Sequence, residues 1–218
     1  MPERLIAIGD IHGCLGALVP LLDAIGPCET DRFIILGDMI DRGPDSRGVI
    51  DRILKLRDVC PVDVILGNHE EMMLDVFDGK APESWLGFGG VQTLDSYGFT
   101  GSLDVVPAEH LQLIRTAHDF IETDRHFFTH ANYDPRLPIN KQTVPMLRWN
   151  RLDTHFPGPH PSGKIAVVGH TPDKSGEVFR VKHLICLDTW CYGNGCLTAM
   201  DVLAGTLWQY RRDGKPRA

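Results

Sequence analysis

The sequence predicts an α/β (α+β) chain: two mixed β-sheets stacked as a sandwich and flanked by helices, with a small, mostly helical cap. Three observations lead there. Residues 1–78 alternate short apolar runs with amphipathic stretches, residues 79–118 break that alternation, and the chain from Ile165 onward reads as a succession of short strands. Alternating strand and helix implies parallel pairing through right-handed crossovers. A run of strands implies antiparallel pairing, here into a second sheet.

Taken in order, strands are expected at residues 5–8, 33–36 and 62–66, and helices at 15–25, 46–57 and 70–77. The run Phe33-Ile34-Ile35-Leu36 is continuously apolar, as in a strand buried on both faces. Residues 85–90, with three glycines, read as a loop. Pro107 opens the clearest helix of the cap, because the first helical turn tolerates proline. A hairpin is expected from 119–123 and 126–129, turning at Asp124-Arg125. Prolines 135, 138, 145, 157, 159 and 161 make residues 132–163 mostly loop, interrupted at 146–151. Strands follow at 165–168, 178–181, 184–187, 196–202 and 206–210. The expected organisation is one domain over residues 1–218, with 79–118 as a cap-like insertion.

Composition narrows the functional classes. A chain of 218 residues that is 43% hydrophobic and 23% charged has the balance of a soluble globular protein. Its net charge of −7 argues against a nucleic-acid or membrane-surface partner, while leaving room for a locally positive pocket. No apolar run approaches a membrane span, and the start of the sequence has no leader-like region. None of the six cysteines is spaced as CxxC. They are expected as free thiols in a reducing, cytoplasmic setting, with Cys191 and Cys196 the one pair considered for a bridge.

The chemistry is concentrated at strand ends. Gly9-Asp10-Ile11-His12-Gly13, Gly37-Asp38-Met39-Ile40-Asp41-Arg42-Gly43 and Gly67-Asn68-His69-Glu70 each follow an apolar run. His130 and His170 end two later runs in the same way. In parallel sheets ligands bind at the carboxyl ends of strands. Five such ends carrying Asp, His, Asp, Asn, His and His describe a two-metal site, the kind that performs hydrolytic phosphorus chemistry by lowering the pKa of bound water. Two cations about 3.5–4 Å apart repel, so a bridging carboxylate is useful. Asp38 is the bridging candidate. Asp10 and His12 would complete one site; Asn68, His130 and His170 would complete the other. The remaining histidines, 110, 118, 126, 155, 160 and 183, are expected on the surface or in loops.

These three blocks, followed by the single histidines His130 and His170, resemble the phosphoprotein phosphatase family of metallophosphoesterases, in particular its small bacterial and phage serine/threonine phosphatases. The resemblance extends from Leu5 to about Val202. It implies a binuclear centre in a central β-sandwich, with two divalent transition-metal ions: manganese first, iron or zinc as alternatives. It further implies that His69 is the general acid, that Asp41 orients it, and that Arg42 binds the substrate phosphate. A second arginine completes that clamp in relatives, in a Trp-x-Arg setting, which falls here on Arg151 with Arg148 in reserve. The implied reaction is direct in-line hydrolysis of a phosphorylated protein or peptide. The alternative is symmetrical hydrolysis of a dinucleoside polyphosphate, diadenosine tetraphosphate, on the same scaffold. Neither a covalent phosphoenzyme route nor a P-loop nucleotidase finds support in the sequence. No cysteine precedes an arginine by six residues, no Asp-x-Asp occurs, and no GxxxxGK[ST] segment is present.

Overall fold

The computed structural model describes residues 2–217. Two five-stranded sheets lie face to face. The first is built from β1 (Arg4–Ile8), β2 (Asp31–Ile35), β3 (Val62–Val64), β9 (Leu197–Asp201) and β10 (Thr206–Tyr210), in the order β10-β9-β1-β2-β3. The second contains β4 (Phe120–Glu122), β5 (His126–Thr129), β6 (Ile165–Val168), β7 (Phe179–Val181) and β8 (Leu184–Cys186), in the order β4-β5-β6-β8-β7. β1, β2 and β3 run parallel, and so do β5, β6 and β8; the outer strands are antiparallel.

The apolar runs are continuous because both faces of each central strand are covered. Leu5, Ala7 and Ile34 point between the sheets and meet Phe128, Val167, Ile185 and Met200. Ile6, Ile8, Phe33 and Ile35 point the other way. They pack under α1 (Leu15–Ile25) and α2 (Ser46–Arg57), whose Leu18, Leu21, Leu22, Val49 and Ile53 recur at helical spacing. Asp45 caps α2 by accepting from the Gly48 N–H at 2.7 Å, and Gly26 ends α1 in the left-handed conformation.

The expected strands and helices are present, with three corrections. The tail does not form a sheet of its own: β9 and β10 extend the first sheet through β1, while β6 and β8 join the second sheet in parallel. Pairing partners so distant in sequence leave no local trace. Residues 85–90 are not an open loop: they join α4 (Glu83–Trp85) to α5 (Val91–Ser96) across a sharp kink at Gly89, where φ is +112°. Finally, α3 (Asn68–Phe77) begins two residues earlier than its apolar pattern suggests, so Asn68 and His69 lie in its first turn. The remaining helices are α6 (Ala108–Arg115), to which Pro107 is the N-cap, and α7 (Val144–Arg148). The six cysteines are free, Cys191 and Cys196 included. Among the described residues no helix is long and apolar enough to cross a membrane.

Candidate active site and metal centre

The predicted residues meet where the parallel strands end. Two loops are zipped together there: the Ile11 and His12 N–H groups donate to the Asp38 carbonyl at 3.0 and 2.8 Å, and Gly13 N–H donates to Met39 O at 2.9 Å. Glu70 fastens the second loop to α3. Its carboxylate accepts from the N–H groups of Asp38, Met39 and Ile40 at 2.8, 2.7 and 3.3 Å, and from Gly67 at 3.2 Å. The sheets approach so closely here that a Cβ on Gly9 would lie 2.2 Å from Leu187 O, and one on Gly169 would lie 2.1 Å from Asp10 Oδ1. Only glycine fits either place.

Among the described residues, six that are not glycine have positive φ: His12, Asp38, Asp41, Arg42, His170 and Trp190. Five of the six are predicted site residues. Such backbone costs on the order of 1–3 kcal/mol each and persists only where the surroundings hold it. The paired loops and Glu70 supply that hold.

The imidazoles are aimed by the backbone. His12 Nδ1–H donates to Ile40 O at 2.9 Å and His130 Nδ1–H donates to Leu36 O at 2.7 Å. A carbonyl can only accept, so Nε2 is the lone-pair nitrogen of each ring when neutral. Burial favours the neutral form of both and outweighs the attraction of Asp38. Yet His12 Nε2 stands 3.4 Å from Asp38 Oδ2, and His130 Nε2 stands 3.4 Å from Asp38 Oδ1 and 3.1 Å from Asn68 Oδ1. His170 donates its Nε2–H to Trp149 O at 3.0 Å, leaving Nδ1 for the site. Burial opposes ionisation of Asp38, but the surrounding histidines hold its carboxyl below the ordinary range.

Lone pairs that converge on a buried carboxylate suit a cation held between them. The donor atoms of His12, Asp38 and His69 lie within 4.8 Å of one another, as do those of Asp38, His130 and His170. Asp38 is common to both groups, the arrangement a bridging ligand needs. Asp10 does not join either cluster. Its carboxylate accepts the His170 backbone N–H at 3.1 and 3.0 Å and lies beside Asp188, a buried acid that the sequence reading passed over. Burial and neighbouring acids raise Asp10, and burial raises Asp188 to about 7. This concentration of buried carboxyl groups also calls for positive charge.

His69 and Asp41 form a second unit. His69 Nδ1 donates to Asp41 Oδ2 at 2.6 Å, while its Nε2 stands 3.9 Å from Asp38. Burial alone would lower the His69 pKa; Asp38 and Asp41 outweigh it and hold it above the ordinary value. Asp41 is fixed in turn by residues with no motif to mark them. Trp85 Nε1–H donates to both carboxylate oxygens at 3.1 and 3.0 Å, and Thr93 Oγ1–H donates to Oδ1 at 2.6 Å. The segment 79–118 therefore reaches into the site. Removing these donors leaves Asp41 more basic. Trp85→Phe is accordingly expected to lower kcat about tenfold, or about 1.4 kcal/mol, and to move the alkaline limb of the pH–rate profile upward. A drop in stability with an unmoved limb would reduce Trp85 to a packing role.

The arginines divide. Arg42 N–H donates to His12 Nε2 at 3.0 Å, and its guanidinium lies 4.5 Å over the Tyr192 ring. Arg151 is half-exposed and forked onto Asp153, with contacts from 2.6 Å. Arg148 is buried between the Glu71 and Asp119 carboxylates, a structural ion-pair position. Three histidines expected on the surface or in loops are also buried. His110 bonds Tyr97 Oη and Asp51, His160 bonds Ser162 and Leu137 O, and His126 lies within β5.

Nitrogen and oxygen donors gathered around one shared carboxylate, at the strand ends of a two-sheet sandwich, define a metallophosphoesterase. The chain belongs to the calcineurin-like phosphoesterases, whose family pattern matches residues 3–202. It is thus a hydrolase of a family that uses a dinuclear divalent metal centre.

Two curated relatives and one solved structure illustrate its place. The chain is 42% identical over 75 residues to a symmetrical bis(5'-nucleosyl)-tetraphosphatase of Nitrosomonas europaea, covering 34% of this chain and 27% of that protein. It is 38% identical over 84 residues to serine/threonine-protein phosphatase 1 of Salmonella typhimurium, covering 38% and 37%. These matches span 27% and 37% of the relatives' own length. The crystal structure of a cold-active protein-tyrosine phosphatase of a Shewanella species superposes with a TM-score of 0.72 at 17% identity, covering 100% of this chain and 80% of that one, which is a likeness of fold. The resemblance to phosphoprotein phosphatases read from the three blocks holds.

Proposed function

We propose that this chain is a metal-dependent phosphomonoester hydrolase acting on phosphorylated proteins, serine/threonine-directed with dual specificity as an extension. One observation favours a monoester over a polyphosphate chain. Arg42 is the one cation lining the cavity of about 530 Å³ beside the site. Nearby, Arg148 and Arg151 are engaged by carboxylates, and Lys174 lies 5.7 Å over the Trp190 ring. Four phosphates would find little positive charge here; one phosphoryl group needs little more than Arg42 and the metal pair.

Asp10, His12 and Asp38 would hold one ion, and Asp38, Asn68, His130 and His170 the other, with manganese as first choice and iron or zinc as alternatives. Bound there, the ions would supply hydroxide at neutral pH and offset charge on the phosphoryl oxygens. The chain's own residues do the rest. Arg42 grips and orients the phosphoryl group, while Arg151 stays engaged by Asp153. His69, protonated at Nε2, gives its proton to the leaving oxygen. Asp41 holds that imidazole by Nδ1–H and stabilises its charged form. Residues 1–218 then act as one unit, with 79–118 as the insertion that locks Asp41.

The second reading is symmetrical hydrolysis of diadenosine tetraphosphate, supported by the Nitrosomonas europaea relative. Chelator-treated protein is expected to be inactive and to recover with added manganese. A matched panel of phosphoserine, phosphothreonine and phosphotyrosine peptides against diadenosine tetraphosphate then decides. Higher kcat/KM on peptides supports the first reading, and preference for the dinucleotide transfers the same mechanism to the second.

A further inference from the structure

The cap presents an apolar face at the mouth of the site that the mechanism leaves unused. Phe88 and Val91 are 53% and 47% exposed, and with Leu86 they line the same cavity as Arg42. The backbone carrying Phe88 is fitted against the site. Gly89 has φ +112°, and a Cβ there would lie 2.6 Å from the Arg42 nitrogen. A Cβ on Gly90 would lie 2.7 Å from the Trp85 ring, which is itself bonded to Asp41. The position of Phe88 is thus set relative to both Arg42 and the His69–Asp41 pair.

Four rings form a row of edge contacts: Phe88 to His69 at 6.4 Å, His69 to His12 at 4.8 Å, and His12 to Tyr192 at 4.8 Å. At one end the Tyr192 face is taken by the Arg42 guanidinium. At the other end Phe88 stands beside the proposed acid.

We propose that Phe88, with Leu86 and Val91, forms a shelf for an aromatic leaving group, so that the site accepts aryl phosphate esters such as phosphotyrosine. This rests on the phosphomonoesterase reading above. An aryl ester carries its ring directly on the oxygen that His69 protonates. Phe88 lies beside that acid, and aromatic pairs attract at ~4.5–7 Å. A serine or threonine ester offers only a short aliphatic stem there. The base of a nucleotide leaving group is held away by its ribose and phosphate.

The test compares manganese-loaded wild type with Phe88→Ala and Phe88→Trp on phosphotyrosine and phosphoserine peptides of one sequence, and on diadenosine tetraphosphate. Phe88→Ala is expected to lower kcat/KM on phosphotyrosine about tenfold and on phosphoserine less than about twofold, with Phe88→Trp restoring the former. Val91→Ser should act in the same direction with a smaller effect. Equal losses on both peptides would overturn the shelf, as would a loss confined to the dinucleotide or a wild type active only on phosphoserine. A metal-loaded wild type that turns over no peptide would instead reject the phosphomonoesterase reading.

Discussion

Asp38→Asn is expected to remove both metals together and to lower kcat/KM by at least about 10³-fold. The substitution keeps the size of the side chain and takes away the charge on which His12, His130 and the two donor clusters converge. Backbone interactions of residue 38 survive it, since Glu70 binds its N–H and His12 its carbonyl. The folded carboxyl lies below its unfolded pKa. Asp38 therefore favours the folded state above the ordinary carboxylate range, and that contribution is lost only as pH falls through the folded value. The variant forfeits it at neutral pH. Metal content per chain, measured on acid-digested protein, checks the prediction; retention of one full equivalent would show that Asp38 is not shared.

His69→Asn is expected to lower kcat by about 10²–10⁴-fold while leaving metal content intact. The second clause is the demanding one. His69 shares a donor cluster with His12 and Asp38, a position from which it could also serve as a ligand. Loss of one metal equivalent would assign it that role and take the acid away. The pH profile gives a further check. The His69 pKa is raised, so the protonated acid is available below the folded value and lost as pH rises through it. Asp41→Asn removes part of the cause and should bring the alkaline limb to lower pH, opposite to the shift expected for Trp85→Phe.

Much of this was legible because periodicity is local. The apolar spacing of Leu18, Leu21 and Leu22 marks α1, and that of Val49, Ile50 and Ile53 marks α2; both helices run to the expected residues. The site residues were legible because glycine-flanked polar groups recur after apolar runs, and the structure brings His12, Asp38, Asn68, His69, His130 and His170 together. What escaped depends on distance in sequence. Nothing near Leu197 says that it will lie beside β1, and nothing near Trp85 or Thr93 says that both will donate to Asp41. The glycines at 87, 89 and 90 suggest a loop, yet the segment is a tight kink between two helices, with Gly89 pressed against Arg42 and Gly90 against Trp85. His110 reads as a surface residue until Tyr97 and Asp51 are found at its two nitrogens.

The antiparallel pairing of β1 with β9 bears on the order in which a ribosome delivers the parts. Ile6 pairs with Asp201, and Gly9 N–H donates to Thr198 O at 3.0 Å. The strand that leads into Asp10 is synthesised long before its neighbour β9. β2 can cover one side of β1 early; the other side must wait until β9 has emerged. Until then a nascent chain exposes an apolar, unpaired strand edge, the feature that makes incomplete chains prone to aggregate. The emergence of β9 is therefore the step that closes the sheet beneath Asp10, so a product truncated before Leu197 lacks a finished site even though every predicted ligand, down to His170, has already been made.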